Sequence, residues 1–126
     1  EMGVVGYRRI LHVMPDDTSQ SITFRNNVNK IGKLDKTFDI CFLSTQLSIA
    51  LDFARACENT KLVLNHCGVP SIAKNALDPW RADIEALSKM PNVTCKLSGL
   101  MAYCAPGTSS LETIQPYVDH VLNCFL

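Results

Sequence analysis

The chain has no excess charge of either sign: twelve lysines and arginines balance twelve aspartates and glutamates. Nucleic acids and anionic membranes select basic surfaces, so neither partner is expected. No apolar run approaches the roughly 18 residues of a membrane helix. Nothing near the start combines the basic, apolar and small-residue regions of a signal peptide. The six cysteines stand at 41, 57, 67, 95, 104 and 124 and form no CxxC pair. That spacing excludes zinc-finger and thioredoxin readings. With this much core and no secretory signal, a disulfide framework is the wrong expectation. The cysteines read as reduced, mostly buried thiols of a cytoplasmic protein. There is no P-loop, GxGxxG, HExxH or GxSxG, which weakens nucleotide-binding, zincin and serine-hydrolase readings.

What is there supports a packed core. Hydrophobic residues make up 47% of the 126 positions and charged residues 19%, which suits one modest domain or part of a larger one. The chain opens on Glu1-Met2, so position 1 is not an initiator methionine; a cut from a longer chain, or a scar before Met2, is the expectation. Four short segments rich in β-branched or aromatic residues read as strands: Val4–Leu11, Thr37–Ser44, Lys61–Cys67 and Asn92–Ser98. Four apolar stripes at helical spacing alternate with them: Phe24/Val28/Ile31, Leu47/Ala50/Leu51/Ala54, Trp80/Ile84/Leu87 and Leu111/Ile114/Val118/Leu122/Phe125. Asp78-Pro79 is the expected start of the third helix and Ser109 with Glu112 the capping box of the fourth. Gly32 weakens the end of the first, Pro91 ends the third, and Pro116 predicts a kink or a later start in the fourth.

Strands alternating with helices imply an α/β fold with parallel strands and right-handed crossovers. Four units fit an open sheet or half of a closed barrel, which needs eight units and typically ~250 residues. Half a barrel leaves two raw strand edges that invite pairing. In parallel α/β folds the loops after the strands build the site.

Several residues at those strand ends carry candidate chemistry. His66 closes the third strand in LVLNHCG; an imidazole there can ligate a metal, polarise a carbonyl or move a proton, or be a satisfied structural group. Cys67 reads as an inert thiol more than a nucleophile, and Asn65 as a partner of nearby backbone. Alternation puts Thr94, Lys96 and Ser98 on one face and Val93, Cys95 and Leu97 on the other. A lysine in a buried parallel strand needs an opposite charge or a wet cavity, so Lys96 is a site residue or a structural ion pair. Arg8, Ile10 and His12 share a face, with Arg8 suited to carboxylates; Arg9 reads as an edge cation. Asp39 is a candidate partner for an arginine. Gln46 is either a substrate donor or a helix cap, and Trp80 reads as core.

The stretches GYRRILH, TFDICFLSTQL, LVLNHCGVPSIA, ALDPWRADIEALSKMPNVTCKLSGL and YVDHVLNCF resemble, in order and spacing, the amidohydrolase-2 family of TIM-barrel hydrolases, especially its sugar-lactonase and dicarboxylate-lactonase-like members. LNHCGVP followed by DPWRADI and CKLSGL is the specific part. The resemblance implies a half (β/α)8 barrel occupying residues 1–126 as one partial domain. It implies hydrolysis of a lactone or related carbonyl substrate by activated water, with a divalent metal such as zinc in some members. The family's site joins an HxH, a His in the LNHCG-like segment and an Asp in a GSDWP-like segment. Only the middle element is here, as His66; His12 and His120 form no HxH and no GSDWP occurs. By resemblance His66 is the catalytic residue, and a metal ligand only in the complete parent. Arg8, His12, Gln46, Lys96 and Ser98 are the substrate contacts. The isolated chain is expected to be inactive and to bind no metal tightly. Two alternatives stand beside this: a small α/β binding module for an anionic metabolite near Arg8 and Lys96, and a half-barrel that self-associates as a homodimer through its open edges.

Overall fold

The structure, a computed structural model, describes residues 3–126; Glu1 and Met2, and with them the reading of a scar, lie outside it. The chain follows the order β1 (Gly6–Ile10), α1 (Asp17–Gln20), α2 (Ile22–Lys33), β2 (Thr37–Cys41), α3 (Leu47–Ala56), β3 (Lys61–Leu64), α4 (Trp80–Ser88), β4 (Val93–Cys95) and α5 (Leu111–Phe125). Short 3-10 turns follow every strand. The strands form one parallel sheet in the order β1-β2-β3-β4. No helix among the described residues is long and apolar enough to cross a membrane.

The expected elements are all present, shortened at their ends. Alternation along the strands then divides the sheet into two unlike faces. Phe38, Ile40, Leu62, Leu64 and Val93 are buried beneath the helices. The Phe38 ring lies 6.0 Å from that of Phe24 on α2 and 6.4 Å from that of Phe53 on α3. Trp80 packs its ring 5.2 Å from Tyr117, tying α4 to α5, and its indole N–H donates to the Cys67 carbonyl at 2.7 Å. Trp80 is thus a core residue with a satisfied polar handle. The opposite face carries Arg8, Asp39, Val63 and Thr94, neighbours across the strands in register.

Three local expectations are corrected, while Gly32 stands at the end of α2 as expected, next to its last residue. Asp78 does not cap α4: the helix starts at Trp80 after a cis Asp78-Pro79 bond, and Asp78 pairs with Arg81 at 2.9 Å. The cap of α5 is Ser110, one residue later than Ser109, and its hydroxyl accepts from the Thr113 N–H at 3.2 Å. Ser109 instead donates to the Met101 carbonyl. Pro116 sits in the second turn of a continuous α5, where its ring sacrifices only the bond to the Glu112 carbonyl. A Cβ at Gly32 would meet the Asn59 carbonyl at 2.7 Å, so glycine is required for helix and loop to touch.

Candidate functional site

The four strands end on one rim, and the residues after them form three linked groups. The first centres on His66, in the turn Asn65–Gly68 behind β3. His66, Cys67, Gly68 and Val69 all have positive φ, a backbone conformation L-residues adopt only when their surroundings impose it. The turn brings the His66 Nδ1 to 2.9 Å from the Ser98 hydroxyl, behind β4. Gly99 closes the pocket: its φ is 77°, and a Cβ would sit 2.9 Å from His66 Nδ1. The imidazole is held by its Nδ1 edge, which leaves Nε2 as the nitrogen able to meet a ligand.

The second group lies on the face away from the helices. The Asp39 carboxylate accepts from Lys96 Nζ at 2.7 Å and from Asn65 Nδ2 at 2.9 Å. Burial pushes the Asp39 carboxyl up, but the hydrogen bonds from Lys96 and Asn65, with the charges of Lys96 and Arg8, outweigh it and hold the group below its ordinary 3.8. Of the two readings of Lys96, the ion pair is the one formed; its ammonium remains partly exposed. Asp39 is partnered by a lysine rather than an arginine, with Arg8 as a more remote charge. Asn65 is fully buried, and its Oδ1 has no partner among the described residues. It serves the site's carboxylate as well as nearby backbone.

The third group joins β1 to β2. His12 Nδ1 lies 3.4 Å from the Cys41 sulfur. Gln46 is used twice, its carbonyl accepting from the Leu43 N–H at 3.0 Å and its amide donating to Asp16 at 2.7 Å. It caps the chain after β2 and ties it to the loop after β1. Arg9 donates to the Met14 sulfur at 3.3 Å, away from Asp39. The Cys67 thiol donates to the Lys96 carbonyl at 3.5 Å; the neighbouring Cys95 thiol and Ser98 backbone outweigh burial and lower Cys67, while Cys95 is pushed up. His120 stands apart on α5, against Trp80 and the Arg81 carbonyl.

His66 and Ser98 thus meet at the rim, while Lys96 pairs with Asp39 on the sheet face that Arg8 shares; Gln46 supports the rim from its own hydrogen bonds. Sequence reasoning passed over Cys41, Asn65, Gly99 and Tyr103 as site residues. Burial and the neighbouring Cys41 and Cys67 thiols push the Tyr103 hydroxyl up. The signal for Cys41 was available, since it shares a strand face with Asp39. Tyr103 and Gly99 sit in irregular backbone with no period to reveal them. No three His, Cys, Asp or Glu side chains among the described residues converge as metal ligands. One imidazole does not hold a divalent ion against water, so these residues alone do not fit a metal.

A parallel sheet of four strands with helices on one face and a polar cluster behind the strand ends is the architecture of half an α/β barrel. The chain belongs to the amidohydrolase family, whose model matches residues 1–126. It is 34% identical over 91 residues to an L-fucono-1,5-lactonase of Burkholderia ambifaria, covering 72% of this chain and 31% of that one. It is 32% identical over 111 residues to an L-fucono-1,5-lactonase of Burkholderia multivorans, covering 81% and 38%. The crystal structure of a Burkholderia multivorans amidohydrolase with bound zinc superimposes with a TM-score of 0.91 at 28% identity, covering 99% of this chain and 47% of that one. The chain therefore spans about a third of the curated relatives' length and under half of the solved chain.

Proposed function

We propose that these residues are the central half of a lactonase-type amidohydrolase, one that opens the ester bond of a sugar-acid lactone with an activated water. The observation that carries it is the His66 imidazole, fixed by Ser98 and Gly99 at the carboxyl rim. In the complete barrel Nε2 of His66 faces the lactone carbonyl oxygen and stabilises the charge that develops there. Arg8 and Lys96 supply positive charge to orient a carboxylate or hydroxyl-rich substrate, and His12 borders it. Ser98 holds the imidazole, and Asp39 keeps Lys96 in place. The base that deprotonates water, and the remaining ligands of a divalent metal in the parent, come from barrel units other than these four. The zinc in the related Burkholderia multivorans crystal supports a metal in that parent.

The test is proton release from sugar-acid 1,5-lactones. The 126-residue chain alone stays at the buffer rate. A longer polypeptide that completes the barrel turns over, and His66→Ala in it lowers kcat by about 10²–10⁴-fold, as expected for loss of a positioned acid–base or electrophilic group. Ordinary turnover by the short chain would refute its incompleteness; an unimpaired His66→Ala would remove His66 from the chemistry.

A second reading concerns partners. β1 and β4 are each hydrogen-bonded on one side only, and Val5 and Val13 beside β1 and Leu97 beside β4 are exposed. We infer that the isolated chain covers these edges with a second copy, two half-barrels supplying eight strands. Sedimentation at micromolar concentration gives a dimer mass; a clean monomer ends this reading.

A further inference from the structure

We propose that Cys41, His12 and Arg8 form a nucleophilic site that takes small, carboxylate-bearing carbon electrophiles onto the Cys41 sulfur. This chemistry is separate from lactone hydrolysis and stands or falls without it, because all three residues lie within the described chain.

The arrangement follows from the strand register. Cys41 ends β2 opposite Ile10, and Arg8 lies two residues earlier on β1, opposite Asp39. Two-residue alternation therefore gives Arg8 and Cys41 the same face. His12 follows in the 3-10 turn after β1, its Nδ1 3.4 Å from the sulfur. Cys41 is 5% exposed, so only a small reagent reaches it.

The chemistry needs each member. Burial pushes the Cys41 thiol up and the Arg8 charge only partly opposes it, so little free thiolate exists at neutral pH. The proton must leave as the sulfur attacks, and His12 Nδ1 is the base within reach. In the step, the thiol proton passes to His12 Nδ1 and a sulfur–carbon bond forms. The bond from carbon to its leaving group breaks, and that group departs with the pair. Nothing is oxidised or reduced. The Arg8 guanidinium matches a carboxylate on the electrophile.

A second thiol–imidazole pair in the same molecule serves as the control. The Cys124 sulfur lies 3.6 Å from His120 Nε2. That nitrogen is also 2.8 Å from the Arg81 carbonyl oxygen, so it carries the proton, donates to the carbonyl and cannot act as base. Burial and then Glu85 push the Cys124 thiol up while Lys89, paired with Glu85 at 2.8 Å, opposes it, so the paired charges beside Cys124 give an anionic reagent no net attraction.

The experiment treats the folded chain with iodoacetate or with its neutral analogue iodoacetamide and maps alkylation at Cys41 and Cys124 by peptide mass spectrometry. A sample unfolded in urea is the control for equal intrinsic reactivity. The Cys41-to-Cys124 rate ratio is expected to be higher with iodoacetate than with iodoacetamide. Arg8→Gln lowers the iodoacetate rate at Cys41 about tenfold, a loss in the range of one screened charge contact, and lowers the iodoacetamide rate by less, because the lost charge also lets the thiol rise. His12→Gln lowers both by about tenfold or more, the lower end for a general base. The comparison of the two reagents on the unaltered chain needs no variant, so it decides even where a variant fails to fold. An unlabelled Cys41, or a Cys41-to-Cys124 ratio equal for the two reagents, overturns the proposal. So does full reactivity in either folded variant.

Discussion

The two faces of the sheet are made by the same strands and do opposite work. The helix side, through Phe38, Ile40, Leu62 and Leu64, is almost fully excluded from water. The other side sets Arg8, Asp39 and Lys96 in a row of alternating charge, partly wet. Removing apolar contacts from the first costs both transfer energy and a cavity. The second side can rearrange or rehydrate after a substitution, so its stability cost is small and its effect falls on ligands. The comparison predicts a steep gradient of mutational effects between residues only one position apart along a strand.

The largest effect belongs to the covered side. Trp80→Ala empties the space between Cys67, Tyr117 and His120 and orphans the Cys67 carbonyl. It should cost about 3–5 kcal/mol in urea unfolding. A loss near that of a surface residue would mean that α4 and α5 are not packed through this ring. Next comes the seam between the two regions, at Gly99→Ala. It combines a positive φ with a Cβ 2.9 Å from His66 Nδ1. A cost of about 1–3 kcal/mol is expected, together with a changed His66 side-chain signal in nuclear magnetic resonance spectra. A stability loss with an unmoved imidazole would separate backbone strain from the positioning of the ring.

Legibility in the sequence divided along the same line. Period-two and helical apolar patterns disclosed all four strands and the four long helices, because the buried face repeats. The positions of several candidate residues could also be read, since Arg8, Lys96, Ser98 and His66 fall at strand ends or on alternating positions. Asn65, Tyr103 and Gly99 could not: their roles arise from a run of left-handed backbone and from long-range closures that have no local period. Helix starts failed at Asp78 and Ser109 for a related reason. Several residues at each of those ends could cap, and tertiary contacts chose among them.

On the open side, Asp39→Asn should cost only about 1 kcal/mol. The Asn65 amide still finds an oxygen, and Lys96, 45% exposed, turns to water. Its clearer signature is in acid. Asp39 is held below its ordinary 3.8, so its contribution is fully present above that pH. It is lost as pH falls through the lower native value. Asp39→Asn should therefore flatten part of the acid limb of the stability curve. An unchanged slope below pH 3.8 would show that Lys96 and Asp39 do not pair in solution.

The smallest effect tests whether ion pairs in general, or only those on the sheet face, carry this signature. Lys61 and Asp35 approach to 2.6 Å, closer than Lys96 and Asp39, yet their side chains are 68% and 85% exposed. Distance alone would rank this the stronger pair. Solvent screening and the entropy of two mobile side chains reverse that order. Lys61→Met should leave the urea midpoint within experimental scatter, in low salt and at 0.5 M sodium chloride alike. A clear, salt-sensitive loss would mean that geometry outweighs exposure here, and the small cost assigned to Asp39→Asn would then have to be raised as well.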